Sequence, residues 1–289
     1  RVAACGLNNT DVNTRSAWYS KGNNDATTGD ALVGAEGEDG TWGGASVSFP
    51  RIQGADAVGT VVSVGESAEQ SLIGQRVMID GWLRDWDDPL NRSKTGYFGS
   101  ECDGGYAQYT KVSHRQVHPV DATMSDAELA TFACSYVTAE NMLNRGAVTA
   151  GDAVLVTGAS GGVGSALIQL ANRRGAQCVA LCGADKADAV KAVGPSAVID
   201  RACADLGSAL RDAIGKDSVD VVADVVGGAL WPQLISALTR GGRYTCAGAI
   251  AGPMVEFDLR TFYLRDLTFT GATVPPPGVF EDLVGYIER

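Results

Sequence analysis

Residues Gly158-Ala159-Ser160-Gly161-Gly162-Val163-Gly164 stand between an apolar run, Ala153-Val154-Leu155-Val156-Thr157, and a helical pattern, Ser165-Ala166-Leu167-Ile168-Gln169-Leu170-Ala171. Strand, glycine turn and helix in that order open a dinucleotide-binding βαβ unit. Glycine lets the backbone turn sharply and approach a pyrophosphate. The helix start offers unpaired N–H groups and the positive end of its dipole to that anion. Ser160, Gly161, Gly162, Val163 and Gly164 are therefore cofactor-binding candidates. The competing reading is a turn whose glycines only pack a helix on a sheet; the match on both flanks favours the nucleotide.

From about residue 121 the pattern alternates. Ser125-Asp126-Ala127-Glu128 has the form of a capping box. Strand-like runs at 153–157, 177–182, 197–199, 219–224, 243–248 and 267–271 are separated by helical patterns near 162–174, 185–193, 204–214 and 229–239. That spacing predicts a parallel sheet with helical crossovers. Such strands are buried on both faces, hence unbroken runs like Val219-Asp220-Val221-Val222-Ala223. Residues 1–120 instead hold short β-like runs, at 57–65 and 75–79, between glycine turns. Polar stretches at 20–48 and 80–104 read as long loops. The fold class is α/β: a β-rich domain over 1–120 and a doubly wound parallel sheet over 121–273, with 274–289 starting a return.

A length of 289 residues suits two such domains. The net charge of −11, with no basic stripe, argues against a nucleic-acid partner. No apolar stretch reaches the roughly 20 residues of a membrane span, and no signal peptide is visible, so no membrane partner is expected. The seven cysteines are odd in number and scattered, several within apolar runs. They read as free thiols in a reducing compartment, the cytoplasm.

The order of motifs resembles the medium-chain dehydrogenase/reductase superfamily, and within it the zinc-free quinone-oxidoreductase-like branch. The resemblance is carried by 4–11 (Ala-Cys-Gly-Leu-Asn-Asn-Thr-Asp), 53–61, 74–77, 104–109, 138–141, the glycine motif at 158–164, and Ala223-Asp224-Val225-Val226-Gly227-Gly228. It implies a GroES-like catalytic domain, a Rossmann domain and a return to the first. On that expectation the first strands and most of the return lie outside this sequence. Zinc-dependent alcohol dehydrogenases place a Cys ligand where this chain has Asn8, and a His-Glu pair where it has Ala55-Asp56. Asn and Ala are not zinc ligands, and residues 80–104 offer one cysteine, Cys102, in place of a structural four-Cys lobe. No metal site is expected. His114 and His118, beside Pro119, read as exposed strand or turn residues.

An acid at the end of the second strand of the βαβ unit accepts from the ribose 2′-OH of NAD. Here Gly183 falls at that place, which removes repulsion against a 2′-phosphate, and Lys186 just beyond can pair with one. NADP(H) is favoured over NAD(H), although Asp185 can stand in for the acid after a shift of two residues. The resemblance places Thr138 near the nicotinamide; its alternative is a helix residue bonding its own backbone. Gly248, ending the strand at 243–247, should let backbone approach the nicotinamide ring, or is a turn glycine. With no zinc, a neutral group must bind the substrate oxygen. Asn8 can donate from the former metal position. Tyr19 lies at the offset of the tyrosine proton donor in related enoyl-thioester reductases, or is a packed aromatic.

The resulting expectation is an NADPH-dependent, metal-independent oxidoreductase acting on a quinone or an activated alkene or carbonyl of a small-molecule substrate. The alternatives are a zinc-type alcohol or aldehyde dehydrogenase and a non-catalytic nucleotide-binding redox sensor. The resemblance also implies a homodimer, paired along the edge strand at 266–271.

Overall fold

The computed structural model describes residues 1–27 and 39–289. Residues 28–38, within the loop expected at 20–48, lie outside the described residues. The rest divides into two compact units: 1–23, 39–137 and 274–289 form the first, and 24–27 and 138–273 the second.

The first unit is built on an antiparallel sheet of β1 (Val2–Gly6), β2 (Asp56–Thr60), β3 (Arg76–Ile79) and β6 (Val117–Pro119), in the order β1-β2-β3-β6. A separate two-stranded ribbon pairs β4 (Trp82–Leu83) with β5 (Gly96–Tyr97). The stretch 80–104 is thus more than a polar loop: Trp82, Tyr97 and Phe98 are core residues within it. One face of the sheet carries α2 (Asp126–Leu129) and α9 (Gly278–Ile287). Leu129, Ala130, Ala133, Val137, Phe280 and Leu283 bury there against Val58 and Met78. Residues 121–137, assigned to the Rossmann part from the sequence, therefore belong with the first unit. The capping box itself is present, with Ser125 Oγ accepting from the Glu128 N–H. Residues 274–289 are pinned as well: Arg84, ion-paired at 3.2 Å with Asp80, donates to the Pro275 carbonyl at 2.7 Å.

The second unit is a six-stranded parallel sheet. Its strands are β7 (Ala153–Val156), β8 (Gln177–Cys182), β9 (Ala197–Asp200), β10 (Val219–Asp224), β11 (Leu238–Cys246) and β12 (Thr268–Gly271), in the order β12-β11-β10-β7-β8-β9. This is the doubly wound order, with its switch point between β7 and β10. The crossovers are α4 (Gly162–Arg173), α5 (Ala187–Lys191), α6 (Leu206–Ile214) and α7 (Trp231–Ser236). The predicted strands and helices recur with ends shifted by a few residues. The exception is β11, which starts at Leu238, five residues before the expected run. Its register slips between Val219↔Leu238 and Val221↔Arg243, a bulge that Gly241 permits at φ +74°. The core holds Leu155, Val179, Leu210, Val222, Leu234 and Leu238.

Phe280 is 1% exposed. Phe280→Ala should cost about 3–5 kcal/mol in urea denaturation; a loss below about 1 kcal/mol would mean that α9 is not seated in this core.

Candidate active site

The chemistry of the second unit gathers at the carboxyl ends of β7, β10 and β11. Gly158 leaves β7 at φ +57°, and a Cβ there would meet the Val225 side chain at 2.9 Å. Gly161 caps α4 in extended conformation, and its N–H donates to the Gly158 carbonyl at 2.9 Å. Ser160, Gly161 and Gly162 are exposed, Val163 half-buried and Gly164 buried. A Cβ on Gly164 would stand 2.2 Å from the Gly158 carbonyl oxygen, so only glycine seats the helix there. The first-turn N–H groups have no intrahelical acceptor and face an exposed turn, the arrangement an anionic pyrophosphate needs.

Asp224, at the end of β10, ties these ends together. It is fully buried and accepts from the Thr157 hydroxyl at 2.5 Å and the Tyr244 hydroxyl at 2.6 Å. The N–H groups of Val226 and Gly227 complete its shell at 2.8 and 3.2 Å. The turn after β10 runs through Gly227 and Gly228 at φ +61° and +63°. Gly248 is half-buried after β11; a Cβ on it would meet the Val225 carbonyl oxygen at 3.0 Å, so the close backbone approach it demonstrably allows is between neighbouring turns. Thr138 is half-buried in α3 (Ser135–Arg145), the helix in which the two units divide.

At the end of β8, Gly183 opens a short 3-10 turn, and its carbonyl accepts from the Lys186 N–H at 3.0 Å. The Lys186 side chain is exposed. Arg201 was not a sequence candidate, yet it follows β9 directly and its N–H donates to the Cys182 carbonyl at 2.8 Å. Its Nε lies 3.8 Å from the place of a Cβ on Gly183. The Asp185 carboxylate comes nearer, with Oδ1 at 2.6 Å from that place. The Asp185 carboxylate and the Arg201 guanidinium thus flank that position, and Lys186 follows in the same turn. Parallel adjacency of β8 and β9 brings Arg201 there, and only the strand order could have signalled it.

In the first unit, Asn8 caps α1 (Asn9–Arg15) in extended backbone conformation, and Asp11 Oδ2 accepts its N–H at 2.9 Å. Asn8 Nδ2 donates to Asp56 Oδ2 at 3.0 Å. The Ser135 hydroxyl donates to Asn8 Oδ1 at 3.4 Å, and Asp56 Oδ1 accepts the Cys134 N–H at 3.0 Å. Tyr19 stands close by, its hydroxyl donating to Thr10 Oγ1 at 3.1 Å. Burial is the main reason its phenol is pushed up to about 12. It is both packed and hydrogen-bonded: its ring lies 4.6 Å from that of Trp42 and 5.6 Å from that of Trp18, and the row continues through Trp82 to Tyr97. The Tyr97 hydroxyl hydrogen-bonds the Cys134 thiol. The two catalytic candidates, Asn8 and Tyr19, are therefore neighbours around the start of α1, and Asp56, Ser135, Cys134 and Tyr97 join them from distant segments.

This donor set does not fit a catalytic zinc, which takes three ionised or imidazole donors. Asn8 offers a neutral amide and Ala55 nothing. Both oxygens of Asp56 are taken by N–H donors, and burial holds the Cys134 thiol protonated. Among the described residues no three His, Cys, Asp or Glu gather to hold a metal ion. His114 is exposed in a turn. His118 departs from the expectation: it is half-buried in β6, its ring 4.6 Å from that of Phe280, and burial lowers its pKa. All seven cysteines are free, and burial raises every thiol, Cys5 and Cys178 to about 12. No described helix is long and apolar enough to cross a membrane.

A glycine turn at the switch point of a parallel sheet, beside a β-rich unit, is the architecture of a two-domain oxidoreductase. Comparison with known proteins agrees. Residues 1–122 match the alcohol dehydrogenase GroES-like domain, and residues 162–289 match the family described as zinc-binding dehydrogenase. A solved protein of Sinorhizobium meliloti 1021, provisionally named an alcohol dehydrogenase, is 44% identical over all of this chain and 77% of its own, with a TM-score of 0.87. The acryloyl-coenzyme A reductase of Metallosphaera sedula is 29% identical over 78% of this chain and 68% of its own length. The 2-octenoyl-CoA carboxylase reductase CinF, solved with NADP and 2-octenoyl-CoA, is 25% identical over 82% of this chain and 60% of its own, with a TM-score of 0.76. The chain belongs to the medium-chain dehydrogenase/reductase superfamily.

Asp56 is 1% exposed, and burial, opposed by its Asn8 and Cys134 hydrogen bonds, lifts its carboxyl to about 7. An unfolded Asp titrates near 4. The folded state keeps the extra proton between those values, so the stability this group contributes is full below about pH 4 and is lost as pH rises through about 7. Wild type should lose unfolding free energy relative to Asp56→Asn across that window in urea titrations; parallel pH curves would contradict the assignment.

Proposed function

We propose that the protein is an NADPH-dependent, metal-independent reductase that transfers hydride to the β-carbon of an activated alkene or to a quinone. The observation that carries this reading is the neutral pole at Asn8, where a half-buried carboxamide occupies the place of a ligand in zinc-dependent relatives. The nicotinamide, when bound, supplies the hydride. Asn8 donates an N–H to the carbonyl oxygen, which becomes an enolate oxygen as hydride arrives at the β-carbon; for a quinone, that carbon then gives up a proton and the oxygen takes one to form the hydroquinone. Preorganised neutral donors of this kind lower the barrier because they need not reorganise as charge develops. Tyr19, whose phenol is protonated at neutral pH and is pushed further up by burial, is the proton source for the enolate. The first-turn N–H groups of 162–164 would hold the pyrophosphate, and Thr138 and Gly248 would border the nicotinamide.

The adenosine end supports NADPH, because Gly183 brings no acid of its own and Lys186 and Arg201 bring positive charge. The Asp185 carboxylate favours a second reading, NADH held through its ribose hydroxyls. The free thiols fit a cytoplasmic enzyme. The edge position of β12 fits pairing with a second copy of the chain.

Asn8→Ala should lower kcat by roughly 10²-fold with NADPH affinity unchanged, followed as NADPH oxidation with 1,4-benzoquinone and with a conjugated enone. Stoichiometric zinc that tracks activity in metal analysis would overturn the reading. The double substitution Lys186→Ala, Arg201→Ala should raise KM for NADPH about tenfold or more and leave KM for NADH unchanged. A protein that prefers NADH before and after the change would favour Asp185 as the discriminating group.

A further inference from the structure

The sequence offers Asp56 only as a residue that replaces part of a His-Glu pair, and its environment says more. The carboxylate is almost completely buried, yet no cation among the described residues pairs with it. Its two oxygens are met by two N–H donors from segments far apart in the chain, the Asn8 side chain at 3.0 Å and the Cys134 backbone at 3.0 Å. Burying a charged group in this way is costly unless its hydrogen bonds serve something.

A carboxamide is nearly symmetrical in shape, so packing cannot choose which of its ends faces which neighbour. Hydrogen-bond chemistry chooses. An ionised carboxylate accepts only, so the nitrogen end of Asn8 must face Asp56. The oxygen end then accepts from Ser135, as observed at 3.4 Å. One Nδ2 hydrogen is used by Asp56, and the second stays available to an acceptor oxygen.

We propose that Asp56 is a positioning residue that sets the sense of the Asn8 carboxamide, so that an N–H and not a C=O is presented to the substrate carbonyl. The inference rests on the reading of Asn8 given above. Asp56→Asn tests it with almost no change of shape. If the oxygen of the new amide keeps the Cys134 N–H, its NH2 group confronts the NH2 of Asn8. Asn8 relieves that clash of donors by turning over, and its oxygen then satisfies the new amide.

The experiment is a double-mutant cycle at pH 8.5, above the carboxyl's raised titration range, with NADPH and 1,4-benzoquinone or a conjugated enone as probes. Asn8→Ala should lower kcat roughly 10²-fold and Asp56→Asn about 10- to 100-fold, each with NADPH affinity unchanged. In the Asn8→Ala background, Asp56→Asn should lower it no further than twofold, because the residue acts through Asn8. Multiplying losses would overturn the inference, since a scaffold residue damages either background alike. An unaffected Asn8→Ala enzyme would overturn the reading of function instead. A second readout needs no turnover: the side-chain NH2 resonances of Asn8, assigned by their loss in Asn8→Ala, should move in Asp56→Asn. Unmoved resonances in a folded variant would sink the inference whether or not either probe is reduced.

Discussion

Helix α4 can rest on the end of β7 only because residue 164 has no side chain. An added Cβ would run into the carbonyl oxygen of Gly158 at 2.2 Å and the Ala159 backbone at 2.7 Å. Neither obstacle can move without reopening the turn. That contact aims the helix N-terminus at the switch point of the sheet, and the turns that follow are arranged around it. Gly158 tucks under Val225, Asp224 gathers the ends of β7, β10 and β11 through hydroxyl and backbone donors, and Gly248 closes against Val225 in turn. A parallel sheet leaves its strand ends as separate loops. One satisfied buried carboxylate makes three of them a single rigid rim.

The first unit solves a different problem. On the proposed reading, the group that meets the substrate oxygen is the Asn8 carboxamide and not a metal ion. A metal carries charge in every direction, whereas an amide has a donor end and an acceptor end. The neutral pole therefore depends on its surroundings for polarity in a way that an ion does not. The capping geometry at residue 8, the carboxylate at 56 and the hydroxyl at 135 supply that dependence from three parts of the chain.

Much of this was legible in the sequence. Parallel strands advertise themselves as unbroken apolar runs, and all six were found, because burial on both faces leaves the period-two signal nothing to hide behind. The start of β11 was hidden by Arg240-Gly241-Gly242, a turn-like string inside a bulged strand. The placement of 121–137 was illegible for another reason: a capping box announces a helix but not the sheet it will cover. The candidate site was legible only where its residues carry local signals. Asn8, Tyr19 and the glycine turn carry local signals. Arg201 beside Gly183, and Asp56 meeting residues 48 and 78 positions away, exist only through strand order and long-range packing.

The seven thiols have a bearing on what the molecule can survive. Enones and quinones are soft electrophiles that add readily to thiolates, so a protein that handled them with ionised cysteines would be consumed by its own substrates. Here burial pushes the titration of every thiol upward, even that of Cys134, within a few residues of the pole. Chemical inertness of the vessel is thus a by-product of how tightly the walls are packed.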